Sequence, residues 1–169
     1  EHMPKMMRCW LGTPWDFNWT SQIPGEGEIA CGYFVSVILR DAGFRVNRVR
    51  LAQQPSKHII LTMLGDNKTQ VIKHKLSYDK FLKQFKNLPE GIYIIGLDRH
   101  VGYLTNFGGK MRFLHSVKPE GVVDESEEQA WAVEYSRYRV IGNLTLQDSM
   151  IKKWLLGQEF LTREWKKKG

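Results

Sequence analysis

From Cys31 onward, apolar residues recur at the spacing of one helix face: Phe34, Val35, Ile38 and Leu39, with Gly43 as a stop signal. This pattern predicts a helix of about a dozen residues with Cys31 in its first turn. Residues 48–65 predict a second helix ending near Gly65. "TQVIKHKL" predicts a short strand. In "SYDKFLKQFKNL", Tyr78, Phe81, Leu82 and Phe85 share one face, Ser77 stands at the cap position and Pro89 closes the segment, which predicts another helix.

The period then changes. "GIYIIGL", "HVGYLTNF" and "KMRFLHSV" are short and rich in β-formers, with turn signals at Asp98–Arg99 and Gly108–Gly109 between them. They predict an antiparallel meander. A further strand is expected over roughly Tyr138 to Leu146, and a closing helix from about Asp148 to Phe160. Ahead of Cys31, "GTPWDFNWTSQIPGEGE" is rich in turn formers and carries Trp15, Phe17 and Trp19; it predicts a loop or a short helical turn. Helices first and a sheet afterwards predict an α+β fold. No internal repeat or long linker divides the chain, so residues 4–169 are expected to form one domain. The initial "EHM" reads as a cloning remnant.

The chain has 169 residues, enough for one substantial core, with 42% hydrophobic and 25% charged residues. No apolar run approaches the roughly 20 residues that a membrane-spanning helix needs. A net charge of +7 favours polyanionic contacts such as nucleic acid, anionic lipid or bacterial wall, or is simply a solvated basic surface. Apart from "KKK" at 166–168 the basic residues are scattered, and no nucleic-acid motif accompanies them, so no nucleic-acid partner is expected. Two cysteines, Cys9 and Cys31, provide neither a disulfide framework nor a CxxC knuckle.

Candidate chemistry starts at Cys31. A thiolate is the reactive form of cysteine, and both a helix N-terminus and a neighbouring imidazolium lower the thiol pKa. His100 opens one predicted strand and His115 lies near the end of the next, so a hairpin turning at Gly108–Gly109 can bring them together. A helix packed on that sheet would carry Cys31 towards His100. His100 would then act as base, and His115 as the polar residue that orients it. Each part alone also reads as structural: a buried thiol, a satisfied polar residue on a strand, core aromatics. A zinc site from Cys31, His100 and His115 has no support in local spacing, and no metal or other cofactor is expected. His58 and His74 are read as structural or surface residues.

Three segments resemble the NlpC-type cell-wall peptidases, a family with a papain-like core. "GTPWDFNWT…GEIACGYFVSVILRDAGF" resembles the family's lead-in loop and nucleophile helix. "RHVGYL" resembles its base-bearing strand, and "MRFLHSV" the next strand, where a polar residue precedes a small one. The order cysteine, histidine, histidine is also the family's. The resemblance covers about a third of the chain. It implies a papain-like core with the nucleophile at the N-terminus of a helix packed on an antiparallel sheet. It further implies Cys31 as nucleophile, His100 as base, His115 as orienter, and the Cys31 backbone N–H as an oxyanion donor. Trp15 stands where the family commonly has a tyrosine beside the nucleophile, and Asp16 and Trp19 are expected with it as substrate or oxyanion contacts. The sequence departs from the family at Ala30-Cys31-Gly32-Tyr33, where Asp-Cys-Ser-Gly is usual, and in the extra material "RVNRVRLAQQPSKHIILTMLGDNKTQVIKHKL" between Cys31 and His100.

The implied activity is hydrolysis of amide bonds in peptidoglycan-derived peptides through a thioester, by a monomer expected in the periplasm or cell envelope, with the signal peptide for export expected to be missing from this sequence. Two other readings stand beside it: a catalytically silent peptide- or wall-binding module, and an acyltransferase or secreted toxin on the same fold.

Overall fold

A computed structural model describes residues 2–65, 70–72 and 76–165. The chain opens with α1 (His2–Arg8) and a long irregular loop, and α2 (Cys31–Asp41) follows. Next come β1 (Arg45–Val46), α3 (Arg48–Ala52), α4 (Ser56–Leu64), β2 (Gln70–Ile72) and α5 (Tyr78–Lys86). The meander is β3 (Gly91–Gly96), β4 (Val101–Phe107), β5 (Lys110–Val117) and β6 (Gly121–Ser126). The chain continues through α6 (Trp131–Glu134), β7 (Arg139–Asn143), α7 (Asp148–Leu155) and β8 (Glu159–Phe160). The fold is α+β. The main sheet has the order β2-β7-β3-β4-β5-β6, and its neighbours pair antiparallel.

Both faces of this sheet are covered, which is why β3 reads as an uninterrupted apolar run. Ile92 and Ile94 point into one layer with Phe34, Val35 and Ile38 of α2 and Ile59 and Ile60 of α4. Tyr93 and Ile95, one step out of phase, point into the other with Phe81 and Phe85 of α5 and Val133 of α6. Side chains on a strand alternate faces, so one segment supplies both layers. Each fully buried large apolar side chain contributes about 1.5–3 kcal/mol relative to exposure.

Several expectations need correction. Residues 48–65 form two helices, because Pro55 cannot continue the first; it occupies the cap position of α4. Asn47 caps α3, its side chain accepting the Arg50 N–H at 3.1 Å. Ser77 stands at the cap of α5 but makes no side-chain capping bond. The last helix stops at Leu155 rather than Phe160: Gly157, at φ 60°, turns the chain, and Glu159–Phe160 pairs in parallel with Arg45–Val46. The strand expected over Tyr138 to Leu146 is limited to Arg139–Asn143. The sheet also gains β6, which sequence patterning did not suggest. His2 and Met3, set aside as a remnant, belong to α1, and Met3 packs against the core. Of "TQVIKHKL", Gln70–Ile72 is a strand, whereas Thr69 and residues 73–75, His74 among them, lie outside the described residues, as do 166–168. Among the described residues no helix is long and apolar enough to cross a membrane.

Candidate active site

Helix α2 begins at Cys31 without a capping side chain: Ala30 is the N-cap residue, and its side chain has no oxygen to offer. Its first N–H groups have no capping side chain, and those of Cys31 and Gly32 face the Cys31 sulfur. Two buried hydrogen bonds fix this helix to the sheet. The Tyr103 hydroxyl of β4 donates to the Val35 carbonyl at 2.7 Å, and the Ser116 hydroxyl of β5 donates to the Ile29 carbonyl at 2.6 Å. A third constraint is steric. A Cβ at Gly32 would fall 2.3 Å from the Ala52 carbonyl oxygen, so α3 lies directly on the first turn of α2. That close approach requires glycine where the resembling family carries serine.

The histidines come from the hairpin. Gly108 and Gly109, at φ 58° and 68°, make a two-residue turn that sets Phe107 opposite Lys110. Positive φ at both positions is the signature of the turn whose twist suits a hairpin. His100 does not open the strand as expected; it ends a tight turn just before β4, its carbonyl accepting the Leu97 N–H at 2.8 Å. The register therefore does not set the two histidines directly opposite each other. One step beyond the Tyr103–Leu114 pair, Gly102 lies against His115, and a Cβ there would sit 2.8 Å from the His115 Cβ. The missing side chain leaves space for the two rings to meet diagonally. His100 Nε2 and His115 Nδ1 are 2.7 Å apart, with the ring planes at 81°. Phe113 stacks on His115 at 3.9 Å between centroids and holds its plane.

His115 is fully buried. Its other nitrogen, Nε2, lies 3.0 Å from Glu125 Oε2 on β6. Sequence reasoning missed Glu125 because it sits in "DESEE", a run that reads as a solvated surface. Its seat is firm: the neighbouring Asp124 carboxylate accepts from Arg8 at 2.7 Å and from Arg112 at 2.8 Å.

Cys31 and His100 line the same cleft, of about 810 Å³. The lead-in loop lines it with Trp15, Phe17 and Asn18, and so do the α3–α4 connection, Gln53 to Pro55, the first residues of α4, Ser56 and Lys57, and Trp165. The extra material between Cys31 and His100 thus forms part of the cleft. Trp15 faces this space and lies outside both core clusters. Asp16 and Trp19, expected alongside it, are not among the lining residues. Asp16 accepts the Asn18 N–H at 2.8 Å in a local turn, and Trp19 is 55% exposed.

The electrostatics differ from the expectation of a lowered thiol pKa. Burial pushes the Cys31 thiol up. Hydrogen bonds from the backbone N–H groups of Val101, Gly32 and Cys31 itself oppose this rise without cancelling it. The Val101 contact places the sulfur beside the residue that follows His100. Burial, and then the adjacent His115, pushes His100 down to about 3. At neutral pH the resting pair is therefore a thiol and a neutral imidazole. Such a pair can perform base-assisted nucleophilic attack, in which the proton moves as the sulfur bonds to carbon. Among the described residues no group of three or more His, Cys, Asp or Glu side chains is arranged to hold a metal ion. No family model matches the chain, and no curated protein matches it.

Proposed function

We propose that the protein is a cysteine hydrolase of amide bonds with a papain-like core of the NlpC type, acting in the cell envelope on peptidoglycan-derived peptides. The observation that carries this reading is the convergence of two elements on one cleft. A half-buried cysteine at an uncapped helix start shares a cleft with a histidine that is itself hydrogen-bonded to a buried histidine at 2.7 Å. A silent binding module has no use for a buried imidazole behind another imidazole.

In this reading His100 takes the Cys31 proton as Sγ attacks the scissile carbonyl carbon. The carbonyl oxygen becomes an oxyanion and accepts the Cys31 backbone N–H. Preorganised donors of this kind are worth about 3–4 kcal/mol each. His100 then gives its proton to the leaving amine nitrogen, the C–N bond breaks, and a thioester remains on Cys31. Water, deprotonated by His100, attacks the thioester carbonyl; the carboxylate product leaves and Sγ recovers the proton. The cleft is open and walled by Trp15, Phe17, Tyr33 and Trp165, a form that suits an extended peptide.

The test is digestion of purified peptidoglycan, with mass spectrometry of the soluble fragments and Cys31→Ala as control. New amino and carboxyl termini that appear only with the wild-type protein are expected. Intact peptides on both wall and synthetic stem-peptide substrates, from a folded wild-type protein, would remove the hydrolase reading.

A further inference from the structure

Two imidazoles 2.7 Å apart pose a problem for any proton transfer to His100. A proton arriving on one ring raises the cost of charge on both, and the surroundings are dry. His115 is fully buried, Phe113 covers its face, and its partner imidazole is already held in the neutral form by burial and by His115. General-base catalysis needs an acceptor whose protonated form is tolerated in the transition state. Some group must offset that charge.

We infer that Glu125 is the positioning residue of this site: through its hydrogen bond to His115 it sets the tautomer of both histidines and supplies the negative charge that lets the pair accept the Cys31 proton. The inference rests on the cysteine-hydrolase reading and deepens it. The tautomers follow from donors and acceptors alone. A carboxylate can only accept, so His115 Nε2 carries a hydrogen. With a single hydrogen on His115, its Nδ1 is bare and His100 Nε2 donates to it. That leaves the lone pair of His100 on Nδ1, the nitrogen not engaged by His115. When this nitrogen takes the thiol proton, the positive charge on His100 is one imidazole away from the Glu125 carboxylate. Glu125 therefore acts through His115 and does not touch substrate.

The other charged groups do not fill this role. Asp124 belongs to Arg8 and Arg112. Asp98, on the cleft rim, accepts the Arg137 backbone N–H at 2.8 Å. Lys57 and Arg99 line the cleft with the opposite sign. Cys31, from α2, is the proton donor itself. Glu125 is the carboxylate hydrogen-bonded to the histidine pair, and it is only 14% exposed at the side chain.

The experiment uses the full chain and needs no natural substrate. Iodoacetamide alkylation of Cys31 is followed against pH by peptide mapping in the wild-type protein, Glu125→Gln, Glu125→Asp and His100→Ala, with thermal melts for each. Histidine tautomers are read by nitrogen-15 NMR. In the wild type, hydrogen is expected on Nε2 of both His100 and His115. His100→Ala is expected to slow alkylation at pH 8 by about 100-fold, within the range for a general base. Glu125→Gln is expected to slow it by roughly 10-fold, to move the profile to higher pH, and to disturb the His115 tautomer, since an amide in place of a carboxylate offers a donor as well as an acceptor. Glu125→Asp keeps the charge and is expected to recover part of the rate. Wild-type rates and tautomers in Glu125→Gln, with His100→Ala still slow, would overturn the role of Glu125 and leave the hydrolase reading intact. A rate indifferent to His100→Ala would overturn both. A loss in Glu125→Gln that matches only a lowered melting temperature, with tautomers unchanged, would assign Glu125 to stability alone.

Discussion

The Ser116 hydroxyl and the Ile29 carbonyl, 2.6 Å apart, tie the strand that carries His115 to the backbone two residues before Cys31. Both residues are fully buried. The small residue after His115 is thus the physical joint between the histidine pair and the helix that begins at Cys31.

Ser116→Ala removes this joint and leaves the Ile29 carbonyl without the Ser116 donor. A buried acceptor left unsatisfied costs about 1–3 kcal/mol. Urea denaturation should show a loss of that size with the slope unchanged. Hydrolysis should fall further than stability accounts for, because Cys31 moves relative to the histidines. A variant of wild-type stability would show that water replaces the hydroxyl at no cost.

Gly102→Ala places a Cβ 2.7 Å from Phe113, 2.8 Å from the His115 Cβ and 3.0 Å from the Leu114 carbonyl. The backbone at these contacts cannot swing aside, so His115 or Phe113 must shift. A displacement of an ångström in a catalytic group can cost on the order of 100-fold. Hydrolysis should drop by about that factor while circular dichroism remains that of a folded protein. Full activity would mean that the diagonal contact of the two histidines tolerates a methyl group between them.

The pH dependence follows from the two shifts. A raised thiol pKa means fewer thiolates at any given pH than an ordinary cysteine provides. An imidazole titrating near 3 means that the proton acceptor stays available down to acid pH. Alkylation of Cys31 should therefore climb at alkaline pH, beyond the usual cysteine value of about 8.5, with no acid-side plateau. Exposed Cys9 should be labelled first at pH 7. Labelling of Cys31 ahead of Cys9 at pH 6 would instead establish a preformed thiolate–imidazolium pair.

Trp15→Phe keeps an aromatic wall and removes the indole N–H. If that N–H helps hold the oxyanion, kcat falls with KM little changed, by up to about 3–4 kcal/mol in transition-state stabilisation. If the ring only walls a subsite, neither constant moves much, and Trp15→Ala chiefly raises KM. Because Trp15 is only half-buried, neither variant should approach the stability loss of a core tryptophan. A melting temperature that collapses in Trp15→Ala would contradict the cleft placement.

The hairpin and helix α2 were legible because their signals are local. Gly108–Gly109 dictates the turn, the alternation in "HVGYL" and "FLHSV" dictates the strands, and a 3.6-residue period marks α2. The α3–α4 break has a local signal in Pro55, which stands between the two helices. Glu125 was not legible, since its partner is ten residues away on a neighbouring strand and its surroundings are acidic. Strand β8 was hidden for a related reason: two residues gain their pairing from Arg45–Val46, over a hundred positions earlier. The role of glycine at 32 and 102 became visible only with the atoms that approach them.

The placement of Trp165 has a practical consequence. Trp165 lines the cleft and is anchored there, its backbone N–H donating to the Gln54 side chain at 2.9 Å, while Glu164 pairs with Arg50 at 2.8 Å. Anything fused downstream is tethered at the cleft mouth, where a short flexible linker gives an effective concentration of about a millimolar. Under the hydrolase reading, a peptide tag attached after Gly169 competes with added substrate. The same tether can be used deliberately. Under the same reading, a candidate peptide appended there becomes its own assay, because cleavage in cis would shorten the chain by a mass that a single spectrum reads.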